Sequence, residues 1–154
     1  MSRRLKQAAV VFVVVIAAAQ LVRPERAKPP TDASRAIQAQ VGTATGLVAV
    51  LDRACRDCHS NETVWPWYTQ VAPVSWLMAY GVSKGRKAVN FSEWAAYQPE
   101  RQRTLLDASC QDATAGKMPG VYTLVQPQTR LSPRDVETIC AAARKAQADV
   151  AHGR

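Results

Sequence analysis

The pentapeptide Cys55-Arg56-Asp57-Cys58-His59 constrains this chain more than any other stretch of its sequence. Two thiols three positions apart on one turn can each add to one vinyl group of the same porphyrin, and this spacing is the attachment signature of a c-type haem. The histidine that follows directly is then carried beneath the ring, where its imidazole can bind iron. The pentapeptide therefore predicts one covalent haem c, with Cys55 and Cys58 as attachment sites and His59 as the proximal iron ligand.

Two other chemistries use a C-x-x-C pair and remain alternatives. A thioredoxin-like dithiol lies in a βαβ unit, and no such alternation is visible in the sequence. A structural zinc site needs a second pair of Cys or His ligands at short spacing. Cys110 and Cys140 stand alone, and the remaining histidine, His152, lies near the C-terminus. Neither context is therefore complete.

The positive charge of the chain is concentrated at its N-terminus. The formal net charge is +8, and the first 28 residues hold six cations against the single acid Glu25. The rest of the chain is only mildly basic, and no basic stripe is interleaved with aromatic residues, so we expect no nucleic-acid partner. The six cations are Arg3, Arg4, Lys6, Arg23, Arg26 and Lys28.

The N-terminal stretch has the layout of an export segment. Residues 2–7 are basic, residues 8–22 are apolar apart from Gln20, and Ala17-Ala18-Ala19 offers a small-x-small cleavage site. The alternative is a retained membrane anchor, although such a helix spans about 22 Å of a hydrocarbon core of about 30 Å. Both interpretations place the domain in the periplasm, either soluble or anchored to the inner membrane.

The chain divides into a signal or anchor (1–22), a Pro/charged linker (23–44), a haem-binding domain (45–148) and a tail (149–154). Within the linker, residues 23–34 are expected to form an extended tether rather than part of the core. Apolar residues of the domain recur at helical spacing, and no alternating strand pattern is found. We predict an all-α, cytochrome-c-like domain with long loops around one haem, preceded by an N-terminal apolar helix. The predicted helices run from soon after Thr45 to Cys55, from Pro73 to Lys84 with Gly85 as the end, from Pro99 to Ala113, and from the N-cap Ser132 to about Ala148.

Three side chains compete for the second axial position on iron. Met78 lies on an apolar helical face and is expected in the core. His152 lies in a polar tail and is expected in solvent. Met118 lies in a loop next to Pro119, which favours an extended backbone at Met118. We therefore predict Met118 as the distal ligand, a choice that distinguishes an electron carrier from a gas binder or peroxidase-like site with an open position.

Three aromatic residues are candidates for packing on the haem. Trp65 and Trp67 follow closely after His59, where they would cover a porphyrin edge and keep water from iron. Tyr122 follows Met118 in the same loop region. The alternative for each of them is ordinary packing around a small core.

Cys110 and Cys140 lie on the predicted inward faces of two helices. In an oxidising compartment two such thiols are expected to form a disulfide. The alternative is a pair of buried free thiols that pack as small hydrophobic groups.

From about residue 50 to residue 145 the chain resembles the bacterial haem-binding domain family, a small c-type cytochrome module. The resemblance implies covalent haem c, His59 on one side of the iron and Met118 on the other. The sequence departs from the family at Gln126-Pro127, where a histidine is often found, and at Cys140, where a tryptophan is often found. The matching motifs are Cys55-x-x-Cys58-His59-Ser60-Asn61-Glu62-Thr63, Trp65-Pro66-Trp67-Tyr68, Ala72-Pro73-Val74-Ser75-Trp76, Gly85-Arg86, Asn90-Phe91-Ser92-Glu93-Trp94, Met118-Pro119, Tyr122 and Leu131-Ser132.

The sequence thus favours an exported mono-haem c-type cytochrome that transfers single electrons between redox partner proteins. No acid–base constellation indicates an enzyme. The alternatives are a haem-based sensor or peroxidase-like protein with an open sixth position, and an interaction module that carries haem structurally. The sequence identifies neither the electron donor nor the acceptor.

Overall fold

A computed structural model describes residues 2–41 and 46–151, the last two by their backbone alone. Within these ranges the chain contains no strand, which confirms the all-α prediction. Thr45, near which the first helix of the domain was expected to begin, and His152, the third candidate ligand, lie outside the described residues. The helices are α1 Arg3–Ala19, α2 Ile37–Val41, α3 Leu47–Ala54, α4 Arg56–His59, α5 Val74–Ala88, α6 Pro99–Thr114 and α7 Pro133–Ala151. Short 3-10 helices span Ala33–Arg35, Trp67–Gln70, Phe91–Ala96, Gly120–Leu124 and Pro127–Thr129.

The hydrophobic core lies where α3, α6 and α7 meet. The inward faces that the helical spacing predicted are buried, as Leu51, Leu106 and Ile139 illustrate. Met78 is fully buried in α5, which confirms its assignment to the interior. α6 and α7 are also joined covalently, because Cys110 and Cys140 form a disulfide with their Cα atoms 4.8 Å apart.

The N-terminus of α7 carries a capping box. Ser132 Oγ accepts a hydrogen bond from the Asp135 amide at 3.2 Å, and the Asp135 carboxylate accepts one from the Ser132 amide at 2.7 Å. Each side chain thereby satisfies a backbone donor that the first helical turn leaves unpaired. Arg53 of α3 adds an ion pair with Asp135 at 2.8 Å. The predicted helix start is therefore confirmed, and it is tied to α3.

The structure differs from the sequence pattern at two boundaries. Ile37, in the second half of the predicted linker 23–44, is completely buried in the core cluster and begins the short helix α2. Gly85 does not end α5, which continues to Ala88. Gly85 has a different role, because the absence of a Cβ at this position allows another segment of the chain to pack closely against α5.

The helix α1 stands apart from the core and buries none of its residues. Its N-cap is Ser2, whose hydroxyl accepts a hydrogen bond from the amide of Leu5 at 3.3 Å. Among the described residues, no helix combines the length and hydropathy that a membrane crossing requires.

Candidate functional site

A largely apolar cavity of about 540 Å³ opens beside the core. This volume falls within the range of about 300–1,000 Å³ that small-molecule and cofactor sites occupy. The pentapeptide contributes Cys55, Cys58 and His59 to its wall. Helix α5 and the segment after α6 supply much of the rest, so these three separate parts of the chain surround one space.

One tight turn fixes the three pentapeptide side chains on that wall. Cys55 ends α3, and its carbonyl accepts hydrogen bonds from the amides of Cys58 at 3.2 Å and His59 at 3.0 Å. The short helix α4 that results places residues three apart on neighbouring positions of one turn. The local sequence therefore sets the spacing of the two thiols and delivers the imidazole directly after them.

Gly85 allows α5 to touch the backbone of this turn. A Cβ atom built on Gly85 would lie 2.4 Å from the carbonyl oxygen of Cys58, far inside van der Waals contact. One turn earlier, a Cβ atom on Gly81 would lie 2.6 Å from the hydroxyl of Tyr122. The two glycines thus form a flat strip of helix against which the pentapeptide and Tyr122 pack.

The imidazole of His59 is held in one tautomer. Its Nδ1 lies 3.3 Å from the carbonyl oxygen of Val89, and because a carbonyl can only accept, Nδ1 must carry the proton. The lone pair of Nε2 is then available to a metal, an arrangement common among metal-binding histidines. Burial lowers the pKa of His59, which favours the neutral, ligating form. Phe91 packs behind the ring with centroids 5.8 Å apart.

The two thiols of the pentapeptide are held in their neutral form. Burial raises the pKa of Cys55 to about 12, and burial together with the nearby carboxylate of Asp57 raises the pKa of Cys58 to about 11. A catalytic dithiol needs the opposite, a lowered pKa that yields a thiolate. The dithiol alternative is therefore disfavoured. In the described part of the chain, no group of three or more His, Cys, Asp or Glu residues could hold a zinc ion.

Arg86 fastens the segment that follows His59. Its guanidinium donates to the carbonyl of Ser60 at 2.7 Å and to the hydroxyl of Thr63 at 2.8 Å. Thr63 in turn donates to the carbonyl of Asp57 at 2.7 Å. These hydrogen bonds hold the segment after the pentapeptide in place and connect it to α5.

Asp57 links the pentapeptide to the segment that carries Met118. One carboxylate oxygen accepts from the Val64 amide at 3.0 Å, and the other accepts from the side-chain amide of Gln126 at 3.1 Å. Gln126 is almost completely buried, and its backbone amide donates to the carbonyl of Tyr122 at 2.8 Å. Gln126 thereby serves as the bridge between two walls of the cavity.

Replacing Asp57 by alanine is expected to lower the free energy of unfolding by about 2 kcal/mol, because a buried amide loses its acceptor. Asparagine at the same position is the matched control. The Gln126 amide can turn over and accept a hydrogen bond from Asn, so the Asp57→Asn protein should lose less than about 1 kcal/mol. Urea unfolding of the three proteins measures both values. An Asp57→Ala protein as stable as the parent would show that the Asp57–Gln126 contact contributes nothing.

The structure brings most of the predicted site residues together. Cys55, Cys58, His59, Met118 and Tyr122 all line the cavity. The structure does not bring Trp65 and Trp67 to the cavity wall, and their contact with a porphyrin edge stays a prediction. The chain turns away after His59, so that 79% of Trp67 is exposed to solvent and its ring packs edge-on against Tyr68.

Sequence reasoning missed four residues that shape the site. The sequence pattern predicts Gly85 as a helix end and marks Gln126 only as a departure from the resemblance. In the structure both residues hold walls of the cavity together. Phe91 and Asp57 belong to the sequence motifs that carry the resemblance. Nothing in their local spacing indicates that Phe91 contacts His59 or that Asp57 contacts Gln126. Their roles depend on pairs of residues far apart in the chain.

The residues present fit a haem. Two neutral thiols on one turn, an imidazole with a free Nε2 and a thioether all border one apolar space of suitable size. A family model described as a haem-binding domain matches residues 14–145. No match was found among curated proteins or among solved structures. Because the matched segment spans most of the chain, this protein belongs to the haem-binding domain family.

Proposed function

We propose that the chain is an exported mono-haem c-type cytochrome, which carries single electrons between redox partner proteins. The observation that supports this proposal best is that the C-x-x-C-H turn and Met118 border the same cavity. Bound haem would supply the iron that takes up and returns an electron. Cys55 and Cys58 would hold it covalently, and His59 and Met118 would be the axial ligands.

The protein's own task is to position ligands and to exclude water. Val89 orients the imidazole of His59 through Nδ1, and the apolar wall keeps the surroundings of the iron at low polarity. Asp57 accepts hydrogen bonds from Val64 and Gln126, so its carboxylate is committed to structure rather than to proton transfer. These commitments favour a carrier over an enzyme.

Export to the periplasm fits two features of the chain. The first residues combine a basic start with an apolar helix. The Cys110–Cys140 disulfide belongs to the oxidising environment outside the cytoplasm. The protein would then be either soluble after cleavage or anchored through α1.

Replacing Met118 by alanine is expected to abolish Met–iron ligation. The ferric protein should lose its weak absorption band at the red end of the spectrum, and the reduction potential should fall by on the order of 100 mV, since axial ligands set haem potentials over roughly 0.8 V. Absorption spectroscopy and a redox titration of the haem-loaded protein measure the two effects.

Met78→Leu is the matched control, because Met78 is buried in α5 away from the cavity wall. It should keep both the band and the potential. If the parent protein lacks the band and Met118→Ala leaves the potential unchanged, Met118 is not a ligand and the His/Met electron carrier is wrong. A high-spin ferric spectrum in the same protein would indicate an open sixth position and favour the sensor or peroxidase-like function. Absence of a covalent haem mass after maturation would overturn the haem c assignment itself.

A further inference from the structure

The chain that leaves α1 is bound along the surface of the domain. The Gln20 side chain accepts a hydrogen bond from the amide of Ala72 at 2.9 Å, and the indole of Trp76 donates to the carbonyl of Val22 at 2.9 Å. Further along, Arg86 donates to the carbonyl of Ala27 at 2.9 Å. The end of α1 is therefore fixed against one particular face of the domain.

That face is apolar where α1 ends. Leu21 and Val22 are 84% and 64% exposed, and Trp67, Val71 and Trp76 beside them are 79%, 46% and 38% exposed. We call these five residues the exit patch. Its two parts meet at Val22, whose carbonyl accepts the hydrogen bond from Trp76 and which lines one narrow cleft together with Thr69 and Ala72.

Three observations indicate what covers the exit patch. It continues directly into α1, which buries none of its residues and is apolar on every side from Ala8 to Ala19, and such a helical segment belongs in a core or in lipid. Exposed tryptophan is typical of the boundary between lipid and water. The cations Arg23, Arg26 and Lys28 follow the patch in the chain and complement anionic headgroups.

We propose that the exit patch is a lipid-contacting surface by which the domain itself lies on a bilayer next to α1. The proposal rests on the anchored form of the protein and extends it. A flexible tether would leave the haem domain free to rotate, whereas the hydrogen bonds from Gln20 to Ala27 fix its orientation. The same face explains why Trp67 is exposed although it follows the haem motif so closely.

The test uses the haem-loaded full chain with Val71→Cys, bound to vesicles of phosphatidylcholine with phosphatidylglycerol. With Cys55 and Cys58 attached to haem and Cys110 bonded to Cys140, the introduced cysteine is the free thiol of the protein. Gln147→Cys is the matched control, since it is exposed on α7 and lies outside the exit patch. The rate of reaction with a neutral polyethylene-glycol maleimide is measured for each, relative to the same variant unfolded in detergent, and the parent protein supplies the background.

The thiol at position 71 should react at least about tenfold more slowly than the thiol at position 147 on vesicles. Val71 is only partly exposed in the fold, and we expect this alone to slow the reaction of its thiol by less than tenfold. If the protein floats with vesicles but both thiols react alike, the exit patch does not touch lipid and the proposal is wrong. Protection that occurs in native membranes but not on vesicles overturns it equally and assigns the patch to a protein partner.

Two further outcomes separate this proposal from the proposed function. If the full chain does not float with vesicles, both the membrane anchor and the contact of the exit patch with lipid are wrong. The haem spectrum recorded in every arm reports ligation independently, so its loss would contradict the cytochrome assignment and not the lipid contact.

Discussion

Replacing Gly85 by alanine is expected to lower the free energy of unfolding by about 3 kcal/mol, although alanine is the better helix former. The added Cβ would lie 2.4 Å from the carbonyl oxygen of Cys58 and 2.9 Å from its carbonyl carbon. These are backbone atoms of a hydrogen-bonded turn, so relief requires α5 and the pentapeptide to separate. Denaturant unfolding of the purified protein measures the loss, and mass spectrometry measures the fraction that carries haem.

Gly81→Ala is the control on the same helix. Its Cβ would meet the far end of the Tyr122 side chain, which can rotate aside, and the gain in helix propensity offsets part of the cost. We expect a change within about 1 kcal/mol. If both variants lose the same stability, the contact between Gly85 and Cys58 is not what makes position 85 special.

The helices could be predicted because their signals are local. The apolar spacing of Leu47, Val50 and Leu51 and the box formed by Ser132 and Asp135 each lie within one or two turns, so the sequence alone specifies them. The pentapeptide is local in the same sense, since its own turn sets the geometry of the thiols and the imidazole. These parts of the fold and the site follow from neighbouring residues.

What the sequence did not reveal depends on distant pairs. Gly85 is read as a helix end until Cys58, far earlier in the chain, is placed against it. The bond between Asp57 and Gln126 joins residues 69 positions apart. Ile37 and Val41 are four positions apart in a polar, Pro-rich stretch, and one such pair is too short a pattern to predict burial in the core.

Trp65 and Trp67 show the same limit from the other side. They are close to His59 in sequence, but closeness in sequence does not determine whether a side chain lies on the cavity wall. The bonds of Arg86 to Ser60 and Thr63 tie the chain after His59 to α5. The segment carrying the tryptophans continues from that fixed point without joining the cavity wall.

Reduction of the Cys110–Cys140 disulfide is expected to lower the free energy of unfolding by about 3–4 kcal/mol. The bridge closes a loop with a sequence separation of 30, and opening it restores conformational entropy to the unfolded chain. Ser109 of α6 and Ile139 of α7 line the cavity next to the bridge, so the same bond secures two walls of the site. Urea unfolding with and without a phosphine reductant measures the difference, with ascorbate in both arms so that the iron stays in one oxidation state.

The double variant Cys110→Ser with Cys140→Ser separates the covalent bond from other effects of the reductant. Its unfolding midpoint should not respond to the phosphine, because the proposed thioether bonds to haem are not reducible under these conditions and no other cysteine pair is available. The reduced parent should unfold nearly as easily as this variant, since both lack the cross-link. If thiol titration finds two free thiols in the reduced parent and its stability equals that of the oxidised protein, the bridge does not stabilise the fold, and packing between α6 and α7 alone holds that side of the cavity.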